Sequence, residues 1–152
     1  MNNRFLSDKK FFSLFLYALS IHSFLVGICL VLLPSQMMQL FGFNPQQEYF
    51  FRAQGGVFHI IMSLLYITAA KNPLKLTELV KLIIAVKLLA MIFLLGYFFF
   101  IDNIFTVLLS GIADGAMGIG VLLFFIVQTR DGRIVSFKPA MLNKLKIHSH
   151  VN

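Results

Sequence analysis

The chain has 152 residues, 59% of them hydrophobic and only 12% charged, with a mean hydropathy of +0.85. An ordinary soluble domain carries about a quarter of its residues as charges, so this composition excludes one. The single cysteine, Cys29, excludes an internal disulfide and a CxxC redox pair, and eighteen Phe against no Trp fit a lipid-facing surface.

Residues 1–10 are polar and basic. The first span is expected over about 11–33, an uncharged run of roughly 34 Å as a helix, enough to cross a bilayer. Arg4, Lys9 and Lys10 would also suit a signal peptide, but the apolar run continues well past Ala18-Leu19-Ser20, so the segment is expected to stay as a span. Pro34 stops it. An interfacial segment over about 35–42 follows, with Met37, Met38, Leu40 and Phe41 on its apolar side and Gly42 and Pro45 ending it. The second span covers about 50–70 and opens with FFRAQGG, which places Arg52 and Gln54 just inside one end. Lys71-Asn72-Pro73 ends it, and the basic connector 74–81 leads to a third span over about 82–101 that contains Lys87. Asp102-Asn103 makes a tight turn into the fourth span, about 104–127. Residues 128–152 form a basic tail, with a short surface helix expected after Pro139.

Of the 13 Lys and Arg residues, all except Arg52 and Lys87 lie in the N-terminal segment, the second connection or the tail. The first and third connections contain neither residue. By the positive-inside rule this pattern predicts an all-α integral membrane protein: an antiparallel four-helix bundle with both termini cytoplasmic, one domain over 1–127 and a cytoplasmic tail over 128–152. A basic cytoplasmic face attracts anionic membrane lipid, which accounts for the net charge of +7 without nucleic acid. The expected location is a bacterial cytoplasmic (inner) membrane.

The polar residues inside the spans mark the candidate site. Asp114 lies near the midplane in LSGIADGAMGIG, and a carboxylate there costs roughly 2.5–3.5 kcal/mol unless it is paired, protonated or hydrated. His22 and His59 lie at similar depth, Lys87 roughly 9 Å below Lys81, and Arg52 near the outer edge. Glu48, Arg52, Gly55, Gly56, His59 and Ser63 follow one stripe of span two, and Ser110, Asp114 and Gly118 one stripe of span four, with Gly111 and Gly115 as a GxxxG pair beside it. Spans two and four are therefore expected to face each other or a common cavity, with Gly55, Gly56, Gly111, Gly115 and Gly118 as packing positions. Arg52, Gln54, His59, Lys87 and Asp114 form the expected polar cluster.

Each of these residues has a plainer reading. Asp114 can pair with Lys87 or Arg52 to lock the bundle, or be held protonated by burial. Lys87 can snorkel to headgroups, Arg52 can bind Glu48 or a lipid phosphate, and both histidines can be hydrogen-bonded packing residues. No metal site is expected, His148 and His150 being a feeble signal, and no GxSxG, HExxH or phosphate-cradling loop occurs. No resident cofactor is expected. The competing reading is a haem b between His22 and His59, and quinone is the other candidate.

The Pro34…Phe41-Gly42 element, the Arg52…Gly55-Gly56 opening of span two and Asp114-Gly115 in span four resemble the DoxX-like group of small bacterial four-helix membrane proteins. The resemblance covers most of 11–127 and implies the fold. Through the subunit that gives the group its name it also implies a link to quinone reduction in sulfur oxidation. It carries no catalytic residue over to this chain. The reading preferred from the sequence is a non-enzymatic membrane protein that binds a lipid-like or quinone-like molecule, or an accessory subunit of a larger membrane complex. The alternatives are a quinone-linked oxidoreductase subunit using Asp114, His59 and Arg52, and a proton-coupled carrier acting as a homo-dimer with Asp114 as its titrating group.

Overall fold

The computed structural model describes residues 3–43 and 49–130, and among them it contains helices and no strand. Helix α1 spans Asn3–Leu32, α2 Ser35–Met38, a 3-10 turn Gln39–Phe41, α3 Tyr49–Lys71, α4 Thr77–Phe100 and α5 Phe105–Arg130. The four long helices are each long and apolar enough to cross a membrane, over Lys9–Leu32, Tyr49–Lys71, Thr77–Phe100 and Phe105–Thr129. This is a multi-pass integral membrane protein. The helices overrun the expected spans where polar residues continue the backbone hydrogen bonding: α4 starts at Thr77, and α5 runs on to Arg130. The expected tail helix and Glu48 lie outside the described residues.

Packing divides the molecule into two antiparallel pairs, α1 with α3 and α4 with α5. The first pair is held by small residues. Gly27 and Gly56 cross so closely that a Cβ on either would come within 2.7 Å of the other's carbonyl oxygen. Below the crossing, hydroxyls of α1 donate to carbonyls of α3: Ser23 to His59 (3.0 Å), Ser20 to Ser63 (2.9 Å) and Ser13 to Ala70 (2.5 Å). Lipid gives no hydrophobic drive to bring helices together, so close packing and interhelical hydrogen bonds supply it.

The second pair uses the glycines of α5. Leu95 of α4 packs over Gly111, Met91 over Gly115, and Leu88 with the Cβ of Lys87 over Gly118. The pairs meet where Phe12 stacks on Phe124 (centroids 5.4 Å) and Phe15 lies against Gly120. Around this contact Leu16, Leu19, Met62, Tyr66, Val80, Ile83 and Val121 form one apolar core. By contrast α3 and α4, neighbours in sequence, touch only slightly.

The segment after Pro34 closes one end of the bundle. Gly42 takes a left-handed φ of 85°, which lets its N–H reach the Gln39 carbonyl and end the 3-10 turn. Thr106, at the start of α5, donates to the Phe41 carbonyl. Met38 is buried while Met37, Leu40 and Phe41 are exposed.

Candidate functional site

Lys87 and Asp114 lie opposite each other at the centre of the bundle. Lys87 is 2% exposed and Asp114 7%, and Nζ donates to Oδ1 at 2.5 Å. The Cβ of Lys87 packs at Gly118, one turn of α5 away from Asp114, so the lysine stem runs along the glycine face toward the carboxylate. This ion pair takes the place of the snorkelling considered for Lys87. A Cβ at Gly118 would stand 3.1 Å from that of Lys87, so the small residue clears the path of the stem.

A cavity of about 370 Å³ opens above the pair, in the gap that α3 and α4 leave between them. Gly55, Phe58, His59, Met62 and Tyr66 line it from α3, Val86, Lys87, Ala90, Phe93 and Leu94 from α4, Leu30 from α1 and Asp114 from α5. Phe58 and Phe93 are 56% and 65% exposed, which puts the mouth on the outer surface between the two helices. The lining is mainly apolar, with His59, Tyr66, Lys87 and Asp114 as its polar members.

Four polar side chains converge there. Lys87 Nζ uses one proton on Asp114 and stands 5.6 Å from the centroid of the Tyr66 ring, within cation–π range. Asp114 keeps its second oxygen. The hydroxyl of Ser23 donates to the His59 carbonyl, and its oxygen lies 3.3 Å from His59 Nδ1. Its proton being committed, Ser23 accepts from Nδ1–H, which leaves Nε2 as the acceptor of the imidazole. Tyr66 adds a phenol.

His59, Lys87, Asp114 and Gly55 therefore meet in one cavity, and α3 and α5 share that cavity rather than packing on one another. The other residues of the expected cluster lie elsewhere. Arg52 donates from Nη2 to the Leu33 carbonyl at 2.8 Å and stacks 5.1 Å from the Tyr49 ring. It thus closes the C-terminal end of α1, where carbonyls lack helical partners. Gln54 is exposed on α3. Gly56 serves the α1 crossing, while Gly111, Gly115 and Gly118 serve α4. His22 is exposed and is not among the residues that line the cavity beside His59. Among the described residues no group of three His, Cys, Asp or Glu is placed to hold a metal ion.

Tyr66, Ser23 and Gly27 escape a reading of the sequence, although Ser20, Ser23 and Gly27 recur at helical spacing along one face of α1. Gln128 is a further surprise: it is 1% exposed, and among the described residues neither its amide oxygen nor its nitrogen has a partner. Arg52 makes a separable prediction. Arg52→Gln should cost about 1.5–3 kcal/mol through the lost charged hydrogen bond, read as a lower melting temperature in detergent, and leave the cavity unchanged. No protein-family model matches the chain, and neither a curated protein nor a solved structure matches it.

Proposed function

We propose that this protein is a non-enzymatic binder of a lipid-like or quinone-like molecule, taken up sideways from the bilayer through the gap between α3 and α4. The observation that carries this reading is an apolar cavity open toward lipid with Lys87, Asp114, His59 and Tyr66 at its floor. A polar head would reach those groups while its chain stays among Phe58, Phe93 and the surrounding lipid. The concentration of Lys and Arg at the end where α1 begins and α5 finishes supports a cytoplasmic position for both termini, in a bacterial inner membrane. Kinship with the DoxX-like group accords with the four long helices and with a quinone among the candidate ligands.

Gly55 provides the test. It lines the cavity, and a Cβ built on it meets nothing within 4 Å. Gly55→Leu should therefore fill the site with little strain elsewhere. Mass spectrometry of protein purified in native lipid should find a lipophilic molecule with the wild type. With Gly55→Leu its occupancy should fall at least tenfold at an unchanged melting temperature. Equal occupancy in the two proteins would remove the basis for a ligand in this gap.

A second reading, assembly with another copy or a larger complex, is favoured by Gln54, an amide exposed on a face otherwise bearing Phe50, Phe51 and Phe58. A polar side chain directed at hydrocarbon gains from a protein partner. In a Cys29→Ser background, with copper–phenanthroline as the oxidant, Gln54→Cys should then form a disulfide-linked dimer, or an adduct with a second protein, in native membranes. Its remaining monomeric and unlinked would sink this reading.

A further inference from the structure

Given a ligand in the α3–α4 cavity, the charges at its floor restrict what the head can be. Lys87 and Asp114 neutralise each other at 2.5 Å, both nearly out of contact with solvent. The other polar groups lining the cavity are the imidazole of His59 and the phenol of Tyr66. Among the described residues, nothing at the floor provides an uncompensated charge. An anionic head would have to draw Lys87 away from Asp114, and a cationic head would have to draw Asp114 away from Lys87. Either exchange leaves one buried ion without its partner, in a medium where charges are poorly screened.

Donors and acceptors, however, remain in supply. Lys87 has two further protons on Nζ, Asp114 a second carboxylate oxygen, His59 the acceptor Nε2, and Tyr66 a hydroxyl. Such a floor can donate to a carbonyl and accept from a hydroxyl without disturbing the ion pair. We infer that the site selects an uncharged, oxygen-bearing head on a long apolar chain, such as an alcohol or a quinone carbonyl, and rejects phospholipid-like anions and quaternary amines. This inference rests on the proposed lateral binding site and adds the ion pair as the determinant of its selectivity.

Three probes with one tail and different heads test it: hexadecanol, hexadecyl sulfate and hexadecyltrimethylammonium. They are offered to the full chain in phosphatidylcholine nanodiscs, and binding is read by native mass spectrometry. The wild type should retain hexadecanol at least tenfold over either ion. Asp114→Asn leaves Lys87 uncompensated and should raise hexadecyl sulfate binding at least tenfold. The double variant Lys87→Met/Asp114→Asn has no charge at the floor and should again reject the sulfate. Lys87→Met alone, which leaves Asp114 uncompensated, should raise hexadecyltrimethylammonium binding at least tenfold; retention of the wild-type selectivity by Lys87→Met overturns the ion pair as its determinant. Gly55→Leu should abolish every specific signal. A wild type that takes the sulfate as readily as the alcohol, in a Gly55-dependent manner, overturns the selectivity while leaving the binding site standing. Signals indifferent to Gly55→Leu overturn the site itself.

Discussion

Asp114→Asn should destabilise the bundle by about 3–5 kcal/mol, because it leaves the Lys87 ammonium buried without its counter-ion. Insertion energies for a lone charge at the centre of a helix, about 2.5–3.5 kcal/mol, point to the same size. Lys87 has no escape route comparable to that of an exposed lysine. It is 2% exposed, and its stem lies between Gly118 and the Tyr66 ring. Lys87→Met added to Asp114→Asn removes the orphaned charge and keeps an unbranched chain of similar length over Gly118. The double variant should therefore recover most of the lost stability. Arg52→Gln should recover none, since Arg52 is committed to the Leu33 carbonyl at the end of α1. Melting in detergent of the two single variants and the double variant measures the coupling. Additive losses in the Lys87/Asp114 cycle would falsify the pairing.

The same pair shows what a single sequence reveals and what it withholds. Four apolar stretches long enough to span a bilayer are visible because hydropathy alone specifies them. Asp114 is conspicuous because a carboxylate in hydrocarbon needs an explanation. Its partner is less legible. Counting Lys87 from Lys81 puts it near one surface, yet α4 already begins at Thr77, so Lys87 lies roughly 15 Å along the helix.

Glycines raise a related difficulty. A stripe of them announces close approach without naming the neighbour, so Gly111, Gly115 and Gly118 are as compatible with α3 as with α4 until the chain is folded. Arg52 shares a stripe with His59, but its side chain reaches sideways to α1 rather than along α3. The cavity is least legible of all. It exists because α3 and α4, joined by a short turn, pack instead on α1 and α5. That is a property of four helices together, not of any local pattern.

The α1–α3 crossing sets the position of the cavity wall, and the neighbours Gly55 and Gly56 allow it to be tested within one turn of helix. A Cβ at Gly56 would come within 2.7 Å of the Gly27 carbonyl oxygen and of the Val31 side chain, whereas a Cβ at Gly55 meets nothing within 4 Å. Backbone on one side of the contact cannot rotate away as a side chain can. Gly56→Ala should therefore cost at least about 1–3 kcal/mol, the usual range for overpacking, and Gly56→Leu should exceed it. Separating the helices also weakens the hydroxyl contacts of Ser20 and Ser23, each worth about 0.6 kcal/mol in a membrane protein. Gly55→Ala should be nearly neutral. Because His59 lies one turn beyond Gly56 and is held by Ser23, the Gly56 variants should also loosen the imidazole and reduce binding in the cavity. Gly55→Ala should preserve both. Thermal melts and hexadecanol retention, measured together, separate the two positions. Equal losses at Gly55 and Gly56 in both measurements would mean that α1 does not set the cavity wall through this crossing.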